Sequence, residues 1–258
     1  MADFYTLRPH GSPPRETVDT VVMILSCAAT NDRREACRET WLSHHLPDGM
    51  KVVFLVGRPG QQSVLSGDIL YLDCPDTYAA LPQKTWAGIR ECLQRWPLAW
   101  LWKVDDDTFC VPLRLKEYPK HHHYLGRPVA TRGMDGYWHH SVVPGKEKIG
   151  PIDRPGWSKL VKDNGWHGPW ASGMAYCLSR HACELVAAEP LTHVQRELYE
   201  DAFVGNVLRS YNIHLYGKQQ TLRYVGESLY GATAIHPCPP AKMREVFWRM
   251  LRAGEMGT

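Results

Sequence analysis

The chain has 258 residues, of which 44 % are apolar and 22 % are charged, the balance of an ordinary globular protein. This balance excludes an intrinsically disordered chain, a collagen-like chain and a coiled-coil rod. Lysine and arginine total 30 against 27 aspartates and glutamates, and the resulting net charge of +3 is too small to indicate nucleic acid or an anionic membrane surface as the main partner. A chain of this length can bury a continuous core in one large domain or two small ones.

The N-terminal segment has no recognisable targeting signal. Residues 1–17 lack the basic and apolar regions of a signal peptide, and their Pro, Gly and Ser content predicts a flexible lead-in. The longest apolar stretches, 21–29 and 97–102, are shorter than the roughly 20 residues that cross a bilayer. The eight cysteines form no C-x-x-C pair, which disfavours a structural zinc site. Several lie in predicted helices and strands, which favours small buried, reduced thiols of an intracellular protein, with a secreted disulfide framework as the alternative.

Apolar runs typical of buried strands alternate with helical patterns in the first part of the chain. We predict strands at 21–27, 51–56, 69–72 and 99–104, and helices that begin near Asp32 and near Leu81. This alternation predicts a mostly parallel sheet flanked by helices, in which ligands bind beyond the carboxyl ends of the strands.

The second part of the chain is less regular at its start. Residues 127–168 are rich in Gly, Pro, Trp and His with weak periodicity, which indicates loops that face a substrate. After them we predict a strand at 174–178 and helices that begin near Ser179, near Glu200 and at Ala241. The apolar spacing of the last helix indicates a packing face.

Three consecutive aspartates, Asp105, Asp106 and Asp107, follow the predicted strand at 99–104. Carboxylates crowded at the end of a buried strand repel one another unless a cation is present. Oxygen ligands suit Mg²⁺ or Mn²⁺, and such ions commonly keep open positions for substrate phosphates. The triplet therefore predicts a metal site for a diphosphate-bearing substrate, with a solvated acidic turn as the alternative.

Two metal-dependent chemistries compete for this triplet. A phosphatase of the haloacid-dehalogenase type requires Asp-x-Asp-x-Thr/Val near its N-terminus, whereas here Phe109 stands in the last position and the motif comes late in the chain. A nucleotide-sugar transferase uses an Asp-x-Asp type motif to hold a metal on its diphosphate leaving group. The surrounding motifs favour the transferase over the phosphohydrolase.

Five segments of the chain resemble, in order, the motifs of one enzyme family. They are RREACRETW at 33–41, DILYLDCPDTY at 68–78 with Lys84 following, WKVDDDTF at 102–109, ASGMAYCLS at 171–179 and EDAFVG at 200–205. The family is the inverting β-1,3-glycosyltransferases, glycosyltransferase family 31, which includes galactosyltransferases, N-acetylglucosaminyltransferases and Fringe-like enzymes. The resemblance implies a single GT-A-type domain at 18–258, an α/β fold with a Rossmann-like, mostly parallel twisted sheet.

The same resemblance implies an activity and a division of labour along the chain. The activity is inverting, metal-dependent transfer of a hexose, galactose or an N-acetylhexosamine, from a UDP-sugar to a hydroxyl of an acceptor glycan, with a β-1,3 linkage expected. Residues 18–126 are expected to bind UDP and the metal, and residues 127–258 to bind the acceptor. A non-catalytic glycan-binding relative remains an alternative, against which the intact acidic motifs argue.

On the donor side, the resemblance implies Asp107 as the principal metal ligand and His236 as a second ligand, because an imidazole suits Mn²⁺ better than Mg²⁺. A strand-end histidine without a ligand role is the alternative for His236, and His214 is the rival candidate. The expected nucleotide-binding residues are Arg33, Arg34, Arg38, Lys84, Asp105 and Asp106, of which the two aspartates hold the ribose and the donor sugar or else complete the metal shell through water. For Arg38, a salt bridge with Glu35 on its own helix is the alternative.

On the acceptor side, inversion requires a general base that faces the acceptor hydroxyl. Asp201 is the predicted base, and Glu200 replaces it if the register is off by one. The alternative for Asp201 is a structural carboxylate that stabilises the helix N-terminus, and one residue can serve both as this carboxylate and as the base. Trp170 is predicted to stack on the acceptor sugar and Gly173 to border its site, while Trp157 and Trp166 are left open.

The resemblance also bears on location. The family's eukaryotic members carry an N-terminal membrane anchor and act in the Golgi lumen. No membrane span is found in this sequence, so we expect either a cytoplasmic relative or a truncated catalytic domain of the Golgi lumen. The native-looking start at Met1 favours the cytoplasm.

Overall fold

The computed structural model describes residues 18–118, 120–129, 170–197, 199–217 and 221–256. In these residues it has ten strands: β1 Thr20–Leu25, β2 Met50–Gly57, β3 Val64–Ser66, β4 Ile69–Leu72, β5 Trp100–Asp105, β6 Phe109–Cys110, β7 Tyr124–Pro128, β8 Ala171–Ser179, β9 Leu222–Tyr224 and β10 Ala234–His236. The α-helices of the same residues are α1 Asn31–Glu39, α2 Leu81–Arg95, α3 Pro112–Glu117, α4 Arg180–Ala188, α5 Leu191–Val194, α6 Glu200–Ser210 and α7 Pro240–Arg252.

A seven-stranded sheet with the order β3-β4-β2-β1-β5-β8-β7 forms the centre of the molecule. Strands β4, β2, β1 and β5 run parallel, while β3 and β8 are antiparallel to their neighbours. Because parallel strands end at the same edge, the residues that follow β1 and β5 meet there. The predicted mostly parallel sheet is confirmed.

Both faces of the sheet are covered, because alternate residues of a strand point to opposite faces. Val22 and Ile24 of β1 pack with Trp41 in a core on one face. Val21 and Met23 enter a second core on the other face, to which α2, α4 and α6 contribute. Strand β1 is therefore buried throughout, as its nearly all-apolar sequence predicts.

A small second sheet, with the order β6-β10-β9, carries the C-terminal part of the site. Strand β6 follows the aspartate triplet, and β10 pairs antiparallel with it, Ile235 opposite Phe109. His236, the last residue of β10, therefore lies beside the triplet although it is far from it in sequence. This small sheet was not predicted, because strands of two or three residues show no periodicity.

The predicted helices are present. Ser179 caps α4 as expected, its Oγ accepting the Ala182 N–H at 3.2 Å. Helix α1 ends at Glu39, so Trp41 lies beyond it and is buried nonetheless. The predicted lead-in at 1–17 and most of the loop-rich segment at 127–168 lie outside the described residues.

All eight cysteines lie in the described residues, and no disulfide links them. Seven of the eight are buried and Cys27 is partly exposed. A small buried thiol packs as an apolar side chain, which is the role predicted for several of them.

Candidate active site

Asp106 anchors the aspartate triplet at the edge of the main sheet. Asp105 ends β5, and Asp106 and Asp107 form the turn that follows. Asp106 is only 6 % exposed, and its Oδ2 accepts hydrogen bonds from Ser26 Oγ at 3.0 Å and from Thr30 Oγ1 at 2.6 Å. Both hydroxyls belong to the segment after β1, so they fix the triplet against it.

Arg33 of α1 lies between two carboxylates of the triplet. Its Nη1 is 3.0 Å from both Asp106 Oδ1 and Asp107 Oδ2. Burial lowers the pKa of Arg33, but the Asp107 and Asp106 carboxylates outweigh it, so the net shift is upward. The side chain is 32 % exposed, which leaves the guanidinium accessible to an anionic ligand. A guanidinium suits phosphate oxygens in particular.

Asp105, Asp107 and His236 form a group that fits a divalent cation. One potential ligand atom from each lies within 4.8 Å of the other two, and all three residues are partly exposed. His236 Nδ1 is 3.2 Å from Asp107 Oδ1 and 3.1 Å from Thr108 Oγ1. Two carboxylates with one imidazole form a donor set that suits Mn²⁺. His214, the rival candidate, is exposed and is not a member of this group.

Lys103 links the triplet to a second acidic group at the start of α6. This lysine is 1 % exposed, and its Nζ donates to Asp105 Oδ1 at 2.7 Å, to Glu200 Oε1 and to the Gly173 carbonyl. The Tyr176 hydroxyl donates to Glu200 Oε2 at 2.7 Å. Both oxygens of Glu200 are therefore occupied, and this carboxylate is 5 % exposed.

Asp201 is the more accessible carboxylate of the Glu200–Asp201 pair. Its Oδ1 accepts the Ala202 N–H at 2.8 Å, and the Gly173 N–H is hydrogen-bonded to the same side chain. Burial, opposed by Lys103, raises the pKa of Asp201 to about 6 and that of Glu200 to about 7. A carboxylate with a pKa near the working pH is suited to general base catalysis.

Gly173 of β8 borders this acid pair. A Cβ at this position would lie 2.9 Å from Glu200 Oε1 and 3.4 Å from Lys103 Nζ. A larger residue would displace the carboxylate or the ammonium, so the close approach requires glycine. Its expected contact with an acceptor stays a prediction.

The model of the galactosyltransferase family matches residues 32–219, well over half of the chain. The chain belongs to the galactosyltransferase family. Human beta-1,3-galactosyltransferase 4 is 26 % identical over 249 residues, which cover 76 % of this chain and 60 % of that protein. Mouse UDP-GalNAc:beta-1,3-N-acetylgalactosaminyltransferase 1 is 24 % identical over 241 residues, covering 84 % and 67 % respectively. The chain thus spans about 60 % of the length of the human relative.

The chain is also similar in structure to a solved galactosyltransferase. The crystal structure of the galactosyltransferase LgtC with donor and acceptor sugar analogs covers 92 % of this chain and 94 % of that chain, with 10 % identity and a TM-score of 0.44. The predicted GT-A-type fold is confirmed by family membership together with the helix-flanked, mostly parallel sheet and the Asp105–Asp107 segment at a strand end.

The predicted cytoplasmic location is wrong. The galactosyltransferase-family relatives are β-1,3-galactosyl- and N-acetylgalactosaminyltransferases of the Golgi lumen, with which a cytoplasmic location conflicts. Among the described residues, no helix combines the length and the apolar character that crossing a bilayer requires. The argument from Met1 fails because the sequence aligns with only part of its relatives.

Two of the residues predicted to bind nucleotide support the loop after β1 instead. Lys84 is 1 % exposed, and its Nζ donates to the Ser26 carbonyl at 2.7 Å and to Asp76 Oδ1 at 2.5 Å. Arg34 is 5 % exposed and donates to Ser26 Oγ at 2.9 Å and to the Cys27 carbonyl. Both cations are buried and bind this loop from inside the protein, out of reach of a ligand, so these two expectations are corrected.

Arg38 is engaged at another place. Its Nε and Nη2 donate to the two carboxylate oxygens of Asp68 at 2.8 and 2.7 Å, and its Nη1 donates to Glu35 Oε1 at 2.7 Å. Arg38 therefore forms the alternative salt bridge with Glu35, and its guanidinium is also paired with Asp68, so both of its partners lie outside the triplet.

Trp170 packs into the protein. It is 4 % exposed, and a Cβ on Gly205 of α6 would lie 2.5 Å from the Trp170 Cβ. A ring so buried does not present a face to a sugar, so the predicted stacking role is corrected. The other two candidate tryptophans, Trp157 and Trp166, lie outside the described residues.

Lys103 and Tyr176 are the site residues that the sequence analysis missed. The signal was present, because a lysine within an otherwise apolar strand needs a buried counter-charge. The identity of that counter-charge depends on α6, which is 97 residues away in sequence.

Proposed function

We propose that this galactosyltransferase-family protein transfers a hexose from a UDP-sugar to a hydroxyl of an acceptor glycan, with inversion, with Mn²⁺ and with a β-1,3 linkage. The names of its relatives specify β-1,3 transfer of galactose and of N-acetylgalactosamine, which supports these hexoses as donors. The family and the donor set of Asp105, Asp107 and His236 support the use of a nucleotide sugar and a metal.

The observation that carries the proposal is the connection between the two acidic groups. Asp105 belongs to the cation-binding group, and through Lys103 it is linked to Glu200, the neighbour of Asp201. An inverting transferase needs a held leaving group and a base on the opposite side of the anomeric carbon. This hydrogen-bonded network connects residues suited to both tasks.

On the donor side, Asp105, Asp107 and His236 would hold the cation, which neutralises the charge of the departing diphosphate when bound. Arg33 remains available to phosphate oxygens next to them. In this proposal residues 18–126 supply the guanidinium and the triplet, whereas His236 comes from the second half of the chain.

On the acceptor side, Asp201 takes the proton from the attacking hydroxyl. The N–H groups of Ala202 and Gly173 orient its carboxylate. Glu200 is held by Lys103 and Tyr176 and so acts as a positioning residue rather than as the base. As the hydroxyl attacks, its oxygen forms the new glycosidic bond and the sugar–diphosphate bond breaks, releasing UDP.

The test is a screen of UDP-galactose, UDP-N-acetylgalactosamine, UDP-N-acetylglucosamine and UDP-glucose with Mn²⁺ or Mg²⁺. UDP release is measured with and without simple glycosides, and the linkage of any product is determined by NMR. We expect release that increases with both Mn²⁺ and a glycoside. Release of phosphate from phosphoesters without a UDP-sugar would instead establish the phosphohydrolase, and saccharide binding without any UDP release would establish the non-catalytic relative.

A further inference from the structure

An exposed aromatic side chain lies next to the proposed metal ligand His236. Tyr224 ends β9, which pairs in parallel register with β10 so that Tyr224 is opposite His236. The two ring centroids are 6.3 Å apart with an interplanar angle of 66°. Tyr224 is 38 % exposed. Neither the motifs nor the proposed reaction gives this residue a role.

Tyr224 also contacts the other side of the site. Its hydroxyl is 3.2 Å from Ser172 Oγ, on β8. Ser172 immediately precedes Gly173, whose N–H is hydrogen-bonded to Asp201. The tyrosine therefore spans the gap between the strand of the metal ligand and the strand that borders the base.

The ring is held rigidly in this position. The Arg127 guanidinium lies 4.3 Å from the ring centroid and so covers one face. Both carboxylate oxygens of Glu227 accept from that guanidinium, at 2.7 and 2.9 Å, and Glu227 Oε2 accepts the Tyr224 N–H at 2.7 Å. A fixed aromatic ring binds a ligand at little cost in conformational entropy.

We propose that Tyr224 is the platform on which the acceptor sugar stacks. The C–H groups of a pyranose face carry partial positive charge and pack on the negative face of an aromatic ring. This inference rests on the proposed function, because the acceptor is the substrate whose hydroxyl must reach Asp201.

The position favours the acceptor over the donor nucleotide. Arg33 contacts Asp107 Oδ2, whereas His236 contacts Asp107 Oδ1 and has Tyr224 beside it. The guanidinium suited to the diphosphate therefore contacts one oxygen of Asp107, and the histidine that lies beside Tyr224 contacts the other. Val225, which follows Tyr224 and donates its N–H to the His236 carbonyl at 2.8 Å, is 39 % exposed, so apolar surface lies next to the tyrosine.

The test compares Tyr224→Ala, Tyr224→Leu and Tyr224→Phe with the wild type, using the UDP-sugar and glycoside selected by the screen. We expect Tyr224→Ala and Tyr224→Leu to raise the KM for the glycoside about tenfold, because each removes the ring. Tyr224→Phe keeps the ring and is expected to stay within about twofold of the wild type. The KM for the UDP-sugar, and UDP release without acceptor, are expected not to change.

Tyr211→Ala is the matched control, since Tyr211 is 49 % exposed at the far end of α6. An unchanged glycoside KM in Tyr224→Leu would overturn the proposal, and so would a rise confined to the UDP-sugar KM or an equal loss in Tyr224→Phe. If Tyr224→Ala does not fold, the Leu and Phe variants make the same comparison.

Direct measurement of glycoside binding distinguishes failure of the proposed function from failure of the proposed role of Tyr224. If the wild type releases no UDP with any donor, saturation-transfer NMR with methyl β-galactoside and methyl β-N-acetylgalactosaminide still measures contact with the protein. Signals that disappear in Tyr224→Leu and persist in Tyr224→Phe support the platform even then. Signals that are equal in all variants, or absent from the wild type, overturn it.

Discussion

Asp105 of β5 and Glu200 of α6 share a single ammonium group, that of Lys103. The lysine is 1 % exposed and also donates to the Gly173 carbonyl, so all three strong contacts are made inside the protein. The buried Lys103 ammonium thereby fixes the spacing between the proposed metal-binding group and the segment that carries the proposed base. The consequences of removing each member can be measured separately.

Replacement of the buried ammonium should destabilise the protein strongly. Lys103→Met leaves Glu200 buried without its counter-charge, and we expect the free energy of unfolding to fall by about 3–5 kcal/mol. Urea denaturation followed by tryptophan fluorescence measures it. The double variant Lys103→Met/Glu200→Gln should recover part of the loss, because the unpaired charge is then removed as well.

A lysine elsewhere serves as the control for this pair of variants. Lys51→Met, on the partly exposed start of β2, should change the free energy of unfolding by less than about 0.5 kcal/mol. Equal free energies of unfolding for Lys103→Met and Lys103→Met/Glu200→Gln would show that the buried Glu200 carboxylate is not stabilised by this lysine.

Asp201→Asn should remove turnover while leaving donor binding intact. The amide keeps the shape of the side chain but cannot accept the acceptor proton, and general base catalysis is worth about 10²–10⁴-fold in rate. We expect kcat to fall by that factor while calorimetry shows an unchanged Kd for UDP with Mn²⁺. Asp48→Asn, on an exposed loop, is the control, and normal transfer by Asp201→Asn would assign the base elsewhere.

The cation-binding group predicts a graded response to substitution. Asp107→Ala should abolish the Mn²⁺ dependence of UDP binding. His236→Ala should weaken Mn²⁺-dependent UDP binding about 10–100-fold, since the carboxylates of Asp105 and Asp107 remain. Titration calorimetry of UDP at several Mn²⁺ concentrations measures both. The exposed His45→Ala is the matched control. If chelation by EDTA and the Asp107→Ala change leave UDP binding as tight as before, Asp107 is not a ligand.

The pH dependence of the rate follows from the raised pKa of Asp201. Burial raises this pKa to about 6, against 3.8 for an ordinary aspartate, and the base acts only when it is ionised. At saturating Mn²⁺ we therefore expect kcat/KM to be constant above about pH 8 and to fall about tenfold for each pH unit below about pH 6. Glu200, with a pKa of about 7, titrates in the same range and broadens the transition. A rate that stays flat down to pH 5 would contradict the assignment.

Much of the fold and the acidic centre of the site could be predicted from the sequence. The parallel sheet follows from apolar runs that alternate with helical patterns, and the triplet follows from charges placed at the end of a buried strand. His236 was reached through resemblance alone, because a single histidine in a short strand has no periodic signal.

The errors concern burial and long-range pairing. Charge alone does not distinguish Arg33, which remains accessible, from Lys84, which is buried against a carbonyl and a carboxylate. Trp170 looked like a loop aromatic because its contact with Gly205 depends on how α6 docks. The proximity of Tyr224 to His236 depends on a strand register that the local sequence does not encode.

The pairing of β6 with β10 sets a limit on how short a working fragment can be. The family match ends at residue 219, whereas β10 and His236 lie after it. A polypeptide trimmed to the matched region would lack both the imidazole and the strand that supports β6 directly behind the triplet. We therefore expect the smallest active fragment to extend beyond residue 219, because it must include the proposed ligand His236.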